Sequence, residues 1–462
     1  MHEACGVVGV YAPGAEVARI AFFGIYALQH RGQESVGIAT GDGEGIYIRK
    51  AMGLVSQGLH EDDLSQLPGH VSIAHTRYST PGSSRVANAQ PILAKGPDIE
   101  LAIAHNGNVV NAMELREELK GWGCSFDTSS DSEVIAQLLA HAPAADWEER
   151  ASYAMRRLEG AYSLTITTKD ELIVMRDPLG VRPLCMGRLG NGWVVASETC
   201  ALDHIGAEFI REIEPGEAVL INAAGPQTVY RKPSSNGFQA SCIFEHIYFA
   251  RPDSVLDGSL IYQTRMAMGA ELAKEFPVEA DMVIGVPDSA IAAAVGYAQA
   301  ADIPYGEGLV KNRYVGRTFI LPDQNMRDLG VRRKLNPLPE LIKGKRLVVV
   351  DDSIVRGTTT PHVVSLLRKG GAKEVHLRIC APPIMWPCYL GVDFATKKEL
   401  IAANMTVEEI RDFVKADSLG FLSTEGLLRA SGRPRNKVCM ACFTGNYPIP
   451  VQLEMDKLAL EV

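Results

Sequence analysis

The stretch Leu347-Val-Val-Val350-Asp351-Asp352-Ser-Ile-Val-Arg356-Gly357-Thr358-Thr359 decides the fold of the second half of this chain. Four consecutive apolar residues make a strand buried on both faces, and two carboxylates leave at its C-terminal end, where ligands bind in open α/β sheets. The Gly-Thr-Thr turn then enters a helix over Thr360–Lys369. Such a turn offers backbone N–H groups, hydroxyls and the positive end of the helix dipole to a phosphate. Adjacent acids ahead of an anion cradle suit a sugar phosphate, the carboxylates taking ribose hydroxyls or a metal. The plainer reading is an exposed turn with two solvated acids; the apolar run, acid pair and turn occurring together weigh against it.

Around this stretch, strands alternate with helices. Met282–Val286 precedes a helix at Ile291–Ala300, and Glu374–Ile379 follows the helix Thr360–Lys369. That grammar predicts a parallel sheet covered on both faces. The segment Lys311–Asn336 is long, basic and irregular, as a lid or binding loop is. Ahead of these units the polar run Arg231-Lys-Pro-Ser-Ser-Asn-Gly237 interrupts the periodicity and marks a domain boundary. The residues before it read as mixed α+β. Strands are expected at Gly6–Tyr11, Val36–Ala39, Gly45–Arg49, Val71–His75, Leu101–His105, Ser163–Thr168, Leu172–Met175, Gly192–Ala196 and Glu217–Ile221. A helix is expected over Ala15–Arg31, with Ile20, Phe23, Tyr26 and Ala27 at helical spacing. Two more are expected from Asn111 and Asp131, each capped by its first residue.

Composition bounds the rest. The 462 residues suggest two or three domains, and 46% apolar with 22% charged residues is ordinary globular usage. The longest uncharged apolar stretch, Ser289–Ala301, falls short of the roughly 18–20 residues of a membrane span. Met1-His2-Glu3-Ala4 carries an acid where a secretion signal is basic, so a soluble, cytoplasmic protein without a membrane partner is expected. A net charge of −9 argues against nucleic acid as a partner. Nine cysteines at this length point to metal, cluster or nucleophile rather than a disulfide framework.

Val348–Thr359 resembles the substrate signature of type I phosphoribosyltransferases, which use phosphoribosyl pyrophosphate (PRPP). The resemblance implies that Ser353, Arg356, Gly357, Thr358 and Thr359 hold the phosphate, and that Ser289, Asp351 and Asp352 hold one Mg²⁺ per subunit. Ser289 lies in Val286-Pro-Asp-Ser-Ala, similar to the family's pyrophosphate loop. Lys311, Arg313, Arg317, Arg332, Arg333 and Lys334 fit its flexible loop, with Lys311 and Arg332 reaching the substrate. Taken alone, such a charge run is more often a solvated surface.

Cys5 alone would be an unremarkable buried strand cysteine. Four segments change that: Gln29-His-Arg31-Gly-Gln-Glu34, His75-Thr-Arg77-Tyr-Ser-Thr, His105-Asn106-Gly107-Asn108 and Asp127-Thr-Ser-Ser-Asp131-Ser-Glu. In order and spacing they resemble class II glutamine amidotransferases, N-terminal nucleophile hydrolases of αββα fold. The resemblance implies Cys5 as nucleophile and its own α-amino group, with pKa near ~8, as base. It implies Asn106 and Gly107 as the oxyanion hole, and Arg77 and Asp131 as the grips on the carboxylate and ammonium of glutamine. It also implies cleavage after Ala4, since removing Met1 alone would expose His2.

A class II glutaminase followed by a type I phosphoribosyltransferase resembles the amidophosphoribosyltransferases over essentially the whole chain. Glutamine and PRPP are then the substrates, purine nucleotides the feedback inhibitors, and a homotetramer or homodimer the assembly. The expected division is a propeptide at 1–4, a glutaminase at 5–235, a phosphoribosyltransferase at 236–445 and a tail at 446–462. Cys439-Met-Ala-Cys442 by itself suits zinc, a redox pair or neither. The family's cluster-bearing subgroup implies that Cys242 and Cys388 complete a structural 4Fe–4S site, with zinc as the alternative. Cys380 continues an alternating strand and reads as core, as do Cys124, Cys185 and Cys200.

Three rival readings differ by residue. A glucosamine-phosphate-type synthase would lack Val348–Thr359, and a salvage phosphoribosyltransferase would lack Cys5, Arg77 and Asp131. A non-catalytic nucleotide sensor would have no reason to keep both sets.

Overall fold

The computed structural model describes residues 5–78, 85–232, 234, 237–312, 335–392, 394 and 396–450. Arg313, Arg317, Arg332, Arg333 and Lys334, and the proposed propeptide, lie outside these residues. The first half holds two antiparallel sheets. The seven-stranded one runs in spatial order Glu208–Glu212, Cys185–Leu189, Gly192–Ala196, Gly6–Tyr11, Val71–Arg77, Ser35–Gly41, Ile46–Met52. The six-stranded one runs Gly225–Arg231, Glu217–Asn222, Leu172–Arg176, Gly160–Thr167, Glu100–Val109, Ile92–Lys95.

Three cores separate four layers. Between the sheets, Val7, Val71 and Ile73 meet Ala102, Ala104, Leu172 and Val174. On the outer face of the first sheet, Val8 and Val10 pack under the helices Val17–Ala27 and Thr199–His204. On the outer face of the second, Leu101, Ile103 and Leu164 pack under Ala112–Gly121, Asp131–Ala140 and Trp147–Arg157. With both faces covered, Gly6–Tyr11 needs apolar side chains at successive positions, hence its unbroken run. Each buried Val, Leu or Ile contributes about 1.5–3 kcal/mol.

Two expectations of detail are corrected. The first helix spans Val17–Ala27 and buries Val17, Ala18, Ala21, Gly24 and Ile25, while Phe23 and Tyr26 are 50% and 46% exposed. Small residues form its packing face because the helix lies close on the sheet: a Cβ at Gly24 would sit 3.1 Å from Val8. The helix Ala112–Gly121 is not capped by the Asn111 side chain, which instead donates to the Arg157 carbonyl (2.8 Å) and accepts from the Glu159 N–H (3.1 Å). Ser130, rather than Asp131, caps Asp131–Ala140.

The second half holds a four-stranded parallel sheet in order Met282–Gly285, Arg346–Asp351, Glu374–Ile379, Ser418–Phe421. Val348 and Val350 face one core, Leu347 and Val349 the other. Leu309–Lys311 pairs with Leu335–Pro337, so the ends of the long basic segment are tied together.

A buried ion network joins the halves. Arg31 donates to Glu198 and, at 2.5 Å, to Glu245, which also accepts from Arg182 at 3.2 Å. Burial works against the Arg31 charge, but Glu198 and Glu245 more than offset it and hold its pKa above the ordinary value. Removing one member of such a group strands its partners in low dielectric. Glu245→Ala is therefore expected to lose about 3–5 kcal/mol, read as a lower denaturant midpoint for unfolding of the full chain. An unchanged midpoint would show that the two guanidinium groups find other partners.

Candidate active sites

Cys5 stands immediately before the strand Gly6–Tyr11, which is hydrogen-bonded on both sides, so its thiol is fixed at the end of the central layers. The thiol donates to the Tyr78 carbonyl (3.4 Å). Burial pushes its pKa up, Arg77 draws it down, and Glu34 and Asp131 push it up again. A thiol held protonated needs a base. His75 is not that base: burial drives its pKa to about 3 and its Nε2 lies 3.1 Å from the His105 carbonyl.

His105-Asn106-Gly107-Asn108 lies within the strand Glu100–Val109, not beyond its end, which extends that strand past the expected Leu101–His105. Gly107 has φ +152°, and a Cβ there would lie 2.0 Å from the Ala161 carbonyl oxygen. Only glycine fits. The Asn106 side-chain nitrogen is buried with no hydrogen-bond partner. A buried donor left unpaired costs about 1–3 kcal/mol, and a developing oxyanion is the kind of partner that would repay it. Asp131 accepts from the Val109 N–H (3.0 Å), bracing the same strand. Arg77 donates to Glu34 (2.9 Å), so Arg77, Glu34 and Asp131 surround Cys5. Sequence reasoning assigns Glu34 no role, although it ends the Gln29–Glu34 segment.

At the other centre, Asp351 and Asp352 end the strand Arg346–Asp351, each 8% exposed. Burial and the adjacent Asp352 carboxylate push the Asp351 carboxyl well above the usual range. Ser289 and Ser353 both donate to Asp352, Ser289 at 2.5 Å. Gly357 has φ +68°, and Thr358 and Thr359 are exposed just ahead of the helix Thr360–Lys369. Arg356 is ion-paired with Glu399, and Lys311 with Asp288 at 2.7 Å. Ser289 and Lys311 thus come to the rim of the acid pair from other strands, whereas Arg332 lies outside the described residues.

The four thiols Cys242, Cys388, Cys439 and Cys442 gather at the junction in one apolar core. Cys242 and Cys439 are neighbours in a short parallel ladder. Burial, with the nearby thiols, pushes Cys242 up to about 11, Cys439 up to about 12 and Cys442 well above the ordinary value. Cys380 belongs to the same core but sits beside Asp351 and Asp352. Cys185 donates to the Ala196 carbonyl and Cys200 to Glu198. Among the described residues, no three His, Cys, Asp or Glu side chains form a group able to hold a metal ion, and no helix is long and apolar enough to cross a membrane.

The donor chemistry fits both implied groups. Hard oxygens of two buried like-charged carboxylates and a hydroxyl suit Mg²⁺, which takes one or two carboxylates and completes its shell with substrate phosphates and water. Soft thiols, three of them pushed toward the protonated form by burial, suit iron–sulfur or zinc.

A cysteine at the head of a central strand in four αββα layers, followed by an acid pair on a parallel sheet, defines a glutamine amidotransferase of the N-terminal nucleophile hydrolase class joined to a phosphoribosyltransferase. Two family models match accordingly: a glutamine amidotransferase domain over residues 75–204 and a phosphoribosyl transferase domain over 253–381. The amidophosphoribosyltransferase of Synechococcus elongatus is 51% identical, covering 100% of this chain and 94% of the relative. That of Archaeoglobus fulgidus is 50% identical, covering 97% and 98%. The solved glutamine PRPP amidotransferase of B. subtilis, complexed with ADP and GMP, superposes with a TM-score of 0.90 at 46% identity over 98% of this chain and 99% of that one. The chain belongs to the amidophosphoribosyltransferase family. It is an enzyme that uses glutamine to aminate PRPP in purine biosynthesis, yielding 5-phosphoribosylamine, glutamate and pyrophosphate.

Proposed function

We propose that the two centres divide the reaction by residue as follows. Cys5 attacks the glutamine amide, and its α-amino group, exposed by removal of residues 1–4, carries the proton. The Asn106 amide and Gly107 N–H hold the oxyanion, while Arg77 and Asp131 grip the carboxylate and ammonium of glutamine. The observation that carries this reading is the unpartnered Asn106 nitrogen on the same strand as Gly107. Collapse of the tetrahedral intermediate to the Cys5 thioester expels ammonia, water hydrolyses the thioester to glutamate and the free thiol, and the ammonia displaces pyrophosphate from C1 of PRPP. There Asp351, Asp352 and Ser289 would hold one Mg²⁺, whose charge neutralises the leaving pyrophosphate. Ser353, Arg356, Gly357, Thr358 and Thr359 hold the phosphate, and Lys311 and Arg332 close over it. The glutaminase spans residues 5–235, the phosphoribosyltransferase 236–445 and the tail 446–462.

Glutamine hydrolysis measured with and without Mg²⁺·PRPP tests the assignment, on protein whose N-terminal mass shows Cys5 first. Stimulation by PRPP, with glutamate and pyrophosphate released one for one, is expected. Hydrolysis indifferent to PRPP would leave the glutamine centre and overturn the coupling to Asp351 and Asp352.

Cys242, Cys388, Cys439 and Cys442 would hold a structural 4Fe–4S cluster tying the segment before Glu245 to the C-terminal residues. Four soft thiols in the core at the junction support an iron–sulfur cluster, with zinc as the alternative. Protein purified without oxygen should be brown and carry about four irons per chain; colourless protein carrying zinc would overturn the cluster. A cytoplasmic location is proposed from the odd, low cysteine count of the sequence. Purine nucleotides, of the kind bound in the B. subtilis relative, are the expected inhibitors. Assembly as a homotetramer or homodimer rests on the family alone.

A further inference from the structure

The oxyanion strand is gripped from the far half of the chain. Asn108 donates its side-chain amide to the Tyr389 carbonyl at 2.8 Å, across 281 residues of sequence. Gly391, two residues on, has φ +102° and lies directly on Gly107: a Cβ there would sit 3.0 Å from both the carbonyl carbon and the oxygen of Gly107. Between them, the Leu390 carbonyl accepts from Arg182 at 3.0 Å. Arg182 in turn bonds Glu245, the hub of the buried ion network. Glutaminase residues thus hold each of the three consecutive positions 389–391.

We propose that the Tyr389–Gly391 segment positions the oxyanion hole of the glutamine centre, with Asn108 as the positioning residue that anchors it. The proposal rests on Asn106 and Gly107 forming that hole. An N–H stabilises an oxyanion only when it is aimed at about 2.7–3.1 Å. Gly107 has φ +152°, a conformation open to glycine, and the direction of its N–H depends on how the strand is held through Gly107 and Asn108. The Asn108 anchor and the Gly391 backbone against the Gly107 carbonyl add to the strand pairing that holds this stretch of backbone. Because Tyr389 and Gly391 both come from the half that carries PRPP, the hole is complete only when the halves are docked.

The test uses the full, processed enzyme. Asn108→Ala removes the anchor without straining the backbone; Gly391→Ala presses a methyl onto Gly107. For Asn108→Ala, kcat for glutamine hydrolysis should fall about tenfold, less than the 10²–10³-fold of losing a hole donor outright. The glutamine KM and the ammonia-dependent rate should hold. Binding of a glutamine-derived aldehyde, whose adduct with Cys5 places an oxygen in the hole, should weaken by the same factor while glutamate binding does not change. Gly391→Ala should show the same split. An unchanged kcat and aldehyde affinity in Asn108→Ala would overturn the proposal, as would equal loss of the glutamine- and ammonia-dependent rates, which marks a packing role only. Asn106→Ala is the separate control: a normal kcat there would remove the hole assignment itself, and the positioning role with it.

Discussion

Cys5→Ala should yield a protein that no longer releases glutamate from glutamine, by a factor of at least ~10⁴, yet still makes phosphoribosylamine from PRPP and added ammonia. The nucleophile cannot be bypassed, because a thioester requires the sulfur and no other described thiol lies at that strand end. Residual hydrolysis by water would still enjoy the oxyanion donors and the Arg77 grip, which sets the floor. The second centre should not register the loss. Asp351 and Asp352 end a different sheet, and the substitution removes one sulfur from a site already braced by Arg77, Glu34 and Asp131. Rates with glutamine and with ammonium salt, measured on the same preparation, check this. Loss of both would show that Cys5 holds the fold rather than doing chemistry.

Asp351→Ala and Asp352→Ala should each depress both routes together, by on the order of 10³-fold. The reasoning is electrostatic. Burial first, and then the adjacent Asp352 carboxylate, raises the Asp351 pKa, so two charges there are costly without a cation. A divalent cation held by this pair would relieve that cost, which is why each acid is expected to matter to both routes. PRPP binding measured with and without Mg²⁺ should show the metal dependence flattened in either variant. Unchanged PRPP affinity would sink the assignment of this pair.

The legible parts of the molecule are those whose chemistry is contiguous in the chain. Leu347–Thr359 states strand, acid pair and anion turn within one segment, and the structure keeps them together. Cys5 and the His105–Asn108 segment are legible for the same reason. Illegible are the contacts between distant residues that carry charge into the core. Arg31 meets Glu245 across 214 residues, and fully buried arginines look like surface residues to any hydropathy reading. Glu34 stands within a recognisable motif, but only the packed site shows it facing Arg77. The packing face of Val17–Ala27 escapes a periodicity argument because close approach to a sheet selects small side chains over the large aromatics that periodicity highlights.

The charged hub at the junction limits how this enzyme can be taken apart. Glu245 follows the polar stretch where the chain would naturally be divided, yet its carboxylate neutralises two guanidinium groups from the other side of that cut. A glutaminase fragment ending near residue 235 would leave Arg182 without its carboxylate partner and Arg31 with Glu198 alone, and would lose the backbone that lies against Gly107. The two activities are therefore separable by point substitution but not by scissors, and what reads along the chain as two enzymes in tandem is in space a single object.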